Sequence, residues 1–141
     1  MTLAHELAER IVALRYGDLP SEVIYWNKVA VLDTVGVTLA GSLEPAPRIA
    51  EDALELQSGS GPSLVFGSSR RIAALDAALI NGVSAHVLDY DNTARNLGGH
   101  VSAVMVPALF AAADACSASG QDFLLAHAAG FEAGRIGKAL N

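Results

Sequence analysis

Residues 81–103 read NGVSAHVLDYDNTARNLGGHVSA, and two of the four histidines, His86 and His100, gather there with Asp89, Asp91 and Thr93 among apolar neighbours. His86 and Asp89 are three apart, which on a helix turns both the same way. Thr93 lies four beyond Asp89, so one more helical turn would set His86, Asp89 and Thr93 along one edge, with Asp91 pointing elsewhere. His100 arrives from the following loop, and Gly98-Gly99 lets the backbone bend tightly just before it. Such a set suits proton transfer: a carboxylate orients a histidine or raises its pKa, and a hydroxyl can hold a substrate carboxylate. The same residues admit two other readings. One is a plain helix C-terminus, where His and Asn are common without function. The other is a metal site through His86, Asp89 and His100, as in a metal-dependent hydrolase, although HxxD is a loose pattern. No metal and no cofactor is expected.

The remaining reactive side chains read as structural. His127 lies on an apolar helix and is expected to be a satisfied core histidine, and His5 to sit on the surface. Cys116 stands near a helix end with no basic neighbour to activate it, which predicts an inert, buried thiol. Asp33 falls deep in an apolar run, where a buried acid is normally satisfied by a hydroxyl or a neighbouring helix end. The Gly-Ser run at 58–61 follows no convincing strand, so a phosphate-binding loop is not expected there.

These groups need elements to position them. Leu3, Leu7, Ile11 and Leu14 recur at helical spacing with Glu6, Glu9 and Arg10 between them, an amphipathic helix over 3–15. Gly17 suits its C-cap, and Pro20 the first turn of the next helix. That helix is predicted from Ser21 to Ala40, with Gly36, Ala40 and Gly41 allowing close helix contacts. A short helix follows at about 46–57. SLVFG reads as a brief extended segment or strand. From Ile72 a stripe of Leu75, Leu79, Val83, His86 and Tyr90 predicts a further helix, with a polar loop at about 92–100. Two more helices are expected at about 103–117 and 121–139. The last is rich in Gly and Ala, which implies tight helix–helix approach even though each glycine weakens the helix by up to ~1 kcal/mol. A parallel α/β sheet would need regular strands between the helices. None is visible, so the fold class is all-α.

Composition narrows the functions. The 141 residues carry a net charge of −6, which argues against a nucleic-acid partner needing a basic face. A single cysteine makes no internal disulfide and fits a reduced, cytoplasmic setting. The N-terminus places His5, Glu6, Glu9 and Arg10 where a signal peptide would have its apolar core. The most apolar run, Val101 to Ala113, is shorter than the roughly 20 residues that span a bilayer, so no membrane partner is expected. Apolar residues make up 52% and charged residues 17%, more apolar than an ordinary domain of this size requires. Either a homodimer interface or further chain is expected to cover the excess.

Several phrases together resemble one family. LRYGDLPSEVIYWNKVAVLDTVGVTLAGS is similar to the opening of MmgE/PrpD proteins, where an LP turn precedes a helix carrying LDT-G--LAG. AALINGVSAHVLDYDNT followed by GHVSAVMVPAL resembles that family's NG-AAH-LDYDDT and HPSA-V-PAL. ASGQDFLLAHAAGFEAGRIGKAL resembles its next helix pair, so the likeness spans nearly the whole chain in order. The family includes 2-methylcitrate dehydratase, cis-aconitate decarboxylase and an iminodisuccinate epimerase. The resemblance therefore implies lyase or isomerase proton chemistry on a small di- or tricarboxylic acid without an iron–sulfur cluster. It implies a large helical domain, a smaller lid and a dimer, with residues 1–141 forming part of the helical domain and the lid absent. It also implies that Asp89, Thr93 and His100 line the cleft: Asp89 or His100 as acid/base, Thr93 as a substrate contact, and His86 beside them as an orienter. Two positions depart from the pattern, Asn92 where a second acid is usual and Val101 where proline is usual. The family is also much longer, which makes activity of this chain alone doubtful and leaves a non-catalytic helical subunit as the rival reading.

Overall fold

The computed structural model describes residues 2–55, 59–95 and 97–139. Among the described residues there are six α-helices: α1 (Leu3–Ala13), α2 (Ser21–Gly41), α3 (Pro45–Ala53), α4 (Ala74–His86), α5 (Val101–Cys116) and α6 (Gly120–Ala139). The fold is all-α in class. Its one sheet among the described residues is a two-stranded antiparallel ribbon, β1 (Ser63–Leu64) and β2 (Arg71–Ile72), with Ser63 opposite Ile72 and Leu64 opposite Arg71. The strand expected in SLVFG is thus present but short. Ile72, expected to begin a helix, is instead a fully buried strand residue.

Helix boundaries follow local chemistry. Thr2 caps α1 by accepting from the His5 backbone N–H at 3.4 Å, and Arg10 donates to Glu6 at 2.7 Å one turn away. Helix α1 ends at Leu14, not at Gly17, which lies in a 3₁₀ turn over Tyr16–Asp18. That turn is held by the Asp18 carboxylate accepting from the Arg15 N–H at 3.2 Å, and the carbonyls at the end of α1 are met by the Arg15 guanidinium, which donates to Val12 and Leu14 at 2.9 Å, rather than by a glycine cap.

Helix α2 is long and apolar enough by length and composition to cross a membrane. It nevertheless carries Glu22, Lys28 and Asp33, and it packs against α4, α5 and α6. Asp33 is exposed rather than buried, so it needs no partner in a core. The buried polar groups on α2 are Thr34 and Thr38, whose hydroxyls donate to the carbonyls of Ala30 at 2.7 Å and Thr34 at 2.6 Å. Gly41 is where α2 meets α4. A Cβ there would collide with the Ser84 carbonyl and lie 2.8 Å from Val87 Cγ1. Gly36, by contrast, has nothing within 4 Å and serves no close contact.

Helices α4 and α5 form the centre. Val65, Ile72, Ala77, Ile80 and Ala111 make the core cluster between them and the ribbon. Asn81 on α4 pins the ribbon from both sides, accepting from the Phe66 N–H at 2.9 Å and donating to the Leu64 carbonyl at 2.8 Å. From α5, the Ala111 carbonyl accepts from Ser63 Oγ at 2.8 Å and Asp114 from the Leu64 N–H at 3.0 Å. Every buried polar atom in these contacts has a partner, as burial away from water demands. Helices α4 and α5 are therefore fixed relative to one another, and with them the two ends from which the site is built.

Candidate active site

The site occupies the connection from α4 to α5. His86 is the last residue of α4 and His100 the residue immediately before α5. Helix α4 does not continue to Thr93. The Asp89 N–H donates to the His86 carbonyl at 2.9 Å, and Asp89 itself turns into the left-handed region at φ +55°. Asp tolerates that conformation better than most residues, but it remains sparsely populated, and such positions cluster at functional sites. Further on, Ala94 and Gly99 bridge as a tight antiparallel pair, with Gly98 at φ +78° supplying the turn that brings His100 back.

The consequence is a cluster around a residue the sequence pattern had turned away. Asp91 was expected to point elsewhere on a helix. With the helix ended, its carboxylate is fully buried between the two histidines. His86 Nδ1 lies 2.9 Å from Asp91 Oδ1, and His100 Nδ1 lies 3.1 Å from both Asp91 Oδ2 and the Asp91 backbone carbonyl. His100 bonds the backbone carbonyl, so Oδ2 has no directed hydrogen bond among the described residues. Asp91 thus holds Nδ1 of both imidazoles, His86 through its carboxylate and His100 through its backbone carbonyl, and leaves each Nε2 for another partner. His100 Nε2 stands 3.6 Å from Asp89 Oδ1, and the two rings meet edge-on with centroids 4.8 Å apart. The Asp91 hydrogen bond raises the pKa of His86 above the ordinary histidine value. Burial opposes this, and the negative charges of Asp91 and then Asp89 add to the rise.

Both histidines open on a groove of about 560 Å³ between α4 and α5, with Leu79, Gly82, Val83, Ala103 and Val104 among its walls. An apolar groove ending in two oriented imidazoles is the usual form of a small-molecule site: apolar walls with a few convergent polar groups.

Thr93 is not part of that edge. It lines a separate pocket of about 290 Å³ with Trp26, Asn92, Ser102 and His127, where Ser102 Oγ donates to Asn92 Oδ1 at 2.8 Å. His127 is buried as expected, but it is not satisfied, since neither ring nitrogen has a partner among the described residues. Burial lowers its pKa and keeps it neutral near pH 7. Cys116 is exposed, not buried, and His5 lies on the surface, 3.2 Å from Glu9.

Comparison with known proteins agrees with this arrangement of sequence. The family model described as MmgE/PrpD N-terminal domain matches residues 5–141. The chain belongs to the MmgE/PrpD family. It is 34% identical over 143 residues to a cis-aconitate decarboxylase-like protein of Aspergillus oryzae, covering 96% of this chain and 30% of that protein. It is 33% identical over 136 residues to human cis-aconitate decarboxylase, covering 93% of this chain and 28% of the human one. The mouse cis-aconitate decarboxylase is 29% identical over a similar span. The chain therefore spans less than a third of the length of these relatives.

Within this MmgE/PrpD domain, three of the four residues expected at the site, His86, Asp89 and His100, come together, and Thr93 does not. Asp91 is the residue that reading by helical period missed. The signal for it was the composition of DYDN itself: acids and an amide closely spaced after an apolar helix favour a turn over another helical turn.

Proposed function

We propose that this domain supplies the proton-transfer wall of a lyase or isomerase acting on a small di- or tricarboxylic acid. The names of its relatives favour decarboxylation of the cis-aconitate type. The observation that carries the reading is His100 Nδ1 held at 3.1 Å by the Asp91 backbone carbonyl, beside the buried Asp91 carboxylate, while His100 Nε2 faces Asp89 at 3.6 Å. A backbone carbonyl accepting from Nδ1–H fixes the tautomer and orientation of the ring, as catalytic proton transfer at Nε2 requires. His100 and Asp89 are then the acid/base pair and Asp91 the positioning residue. His86, whose protonated form Asp91 favours, places positive charge where a substrate carboxylate would sit. Thr93 opens on the neighbouring pocket and takes no part in the relay.

Loss of carbon dioxide from an unsaturated tricarboxylate breaks one C–C bond, and the electron pair left behind moves through the double bond to a carbon that must be protonated. His100 Nε2, in its protonated form, would deliver that proton. Asp89 beside it would help to restore it. Dehydration and epimerisation make the same demand for a positioned acid/base next to a carboxylate.

The test uses the complete protein or assembly that carries this segment. It is offered cis-aconitate, citrate, 2-methylcitrate and iminodisuccinate in deuterated water, with deuterium incorporation and product both followed. Asp89→Asn and His100→Gln are each expected to slow turnover by about 10²–10⁴-fold, the usual contribution of a positioned acid or base. Turnover of one of these acids at an unchanged rate in both variants would make the cluster structural.

A further inference from the structure

We infer that Asn92 and Ser102 form a clamp that sets the His100 ring for proton transfer: the bond between their side chains fixes the Asp91–Asn92 peptide, whose carbonyl accepts from His100 Nδ1. Both are further positioning residues, acting through His100. The inference rests on the reading of His100 as an acid/base group, and it adds what holds that group in place.

The first argument is connectivity. The Asp91 carbonyl, 3.1 Å from His100 Nδ1, belongs to the peptide whose nitrogen is that of Asn92. A rotation of that peptide carries the carbonyl away from the ring. The Asn92 side chain opposes the rotation, because its Oδ1 accepts from Ser102 Oγ at 2.8 Å. Ser102 lies two residues beyond His100, in the first turn of α5, and is 1% exposed. Helix α5 is itself tied to the ribbon through the Ala111 carbonyl and Asp114. Ser102 is therefore the fixed point, and Asn92 is the part that is held.

The second is need. The left-handed turn at Asp89 ends helical bonding before Asp91 is reached. The Ala94–Gly99 bridge closes the loop three residues further on. His86 grips the Asp91 carboxylate at 2.9 Å, but His86 is exposed, and the second carboxylate oxygen has no directed hydrogen bond among the described residues. Little besides Asn92 thus restrains the Asp91–Asn92 peptide itself.

The third is the direction of the Ser102 bond. His100 occupies the N-cap of α5 and makes no side-chain cap bond there. A hydroxyl kept only for the start of a helix accepts from one of its free N–H groups. Ser102 instead donates away from the helix, across the loop. The bond faces the pocket shared with His127, whose walls carry no charged side chain to compete for either partner.

The test reads the ring first and turnover second. The complete protein or assembly that carries this segment is made with nitrogen-labelled histidine, and the His100 tautomer is read by NMR at alkaline pH, the signal being assigned by its loss in His100→Gln. The wild type should carry the proton on Nδ1. Asn92→Ala and Ser102→Ala should each move it toward Nε2, and the double variant should move it no further than either alone, as two halves of one interaction require. Asn92→Asp keeps an acceptor for Ser102 and should restore the wild-type tautomer. Thr93→Val, at the next position and facing the same pocket, should leave it unchanged. Asn92 is only partly buried, so Asn92→Ala keeps the fold even if Ser102→Ala does not, and circular dichroism checks both. With substrate, Asn92→Ala should lower kcat by roughly 10–100-fold with a smaller change in KM, the order of loss that follows from misplacing a catalytic group. A wild-type tautomer retained in Asn92→Ala, or an Asn92→Asp protein that behaves as Asn92→Ala, would overturn the clamp. So would an unchanged kcat in Asn92→Ala where His100→Gln does slow turnover. Turnover that is insensitive to His100→Gln would overturn the acid/base reading instead, while the tautomer still reports on the clamp.

Discussion

At the scale of single residues, the chain holds its histidines in opposite electrostatic settings, and His127 gives the clearer prediction. Its ring is 1% exposed, and it stacks against Phe131 with centroids 6.2 Å apart. Trp26, Asn27, Asn92, Thr93 and Ser102 share its pocket, and no other pocket residue titrates in the acid range. Burial lowers its folded pKa below the unfolded value of 6.5. Below about pH 6.5 the unfolded chain therefore binds a proton that the native state refuses, and stability falls as pH drops toward the folded pKa. The slope from one such group is at most ~1.4 kcal/mol per pH unit. His127→Leu should flatten this acid limb. It should also stabilise the protein near pH 6, because an unpaired buried polar group costs about 1–3 kcal/mol. Urea unfolding of both proteins between pH 5 and 8 checks this, and parallel pH curves would refute it. The same scale shows what a sequence can and cannot say. His86, Asp89 and His100 were legible because their types and their nearness to a glycine turn do not depend on exact backbone geometry. Asp91 was not, because helical periodicity assigns a direction only while the helix lasts. The left-handed turn at Asp89 rotates everything beyond it.

At the scale of elements, the helices were legible from period and composition, and their ends much less so. Periodicity is a sum over many residues and survives a misread cap. A terminus is decided by one or two hydrogen bonds, such as Asp18 accepting from the Arg15 N–H. Glycines show the same limit. Gly36 and Gly41 lie on one helix and read alike in sequence, yet only Gly41 faces a neighbouring backbone. Gly41→Ala would force a Cβ into the Ser84 carbonyl and should destabilise the protein by about 1–3 kcal/mol or more, the cost of overpacking. Gly36→Ala enters open space in a helix interior and should stabilise by roughly 0.5–1 kcal/mol through helix propensity. Urea midpoints of the two variants should move in opposite directions. Equal shifts would mean that α2 and α4 do not cross closely at Gly41. That crossing matters beyond stability, because Ser84 is two residues before His86 on the same helix.

At the scale of the whole molecule, the excess of apolar residues visible in the composition reappears as surface. Tyr25, Trp26, Val29 and Leu32 stand exposed along α2, and Leu75, Leu79 and Val104 along α4 and α5, with Leu75 86% and Leu32 75% exposed. Contiguous apolar surface on this scale is uncommon on a soluble monomer and marks an interaction face. Burying a Leu or Val side chain fully is worth roughly 1.5–3 kcal/mol. Association first costs roughly 4–15 kcal/mol in lost freedom and ordering. The four exposed α2 residues alone reach the lower part of that range, and the α4–α5 face adds to it. Self-association at micromolar concentration is therefore expected in sedimentation, and Leu32→Glu together with Val104→Glu should shift the protein toward monomer. Both positions are exposed, so these substitutions leave the core cluster of Val65, Ile72 and Ile80 untouched, and the helical circular dichroism should persist. A wild-type chain that sediments as a monomer and excludes apolar dyes would mean that these faces are covered from within. The groove beside His86 and His100, whose wall includes Leu79 and Val104, would then be closed to a ligand as well.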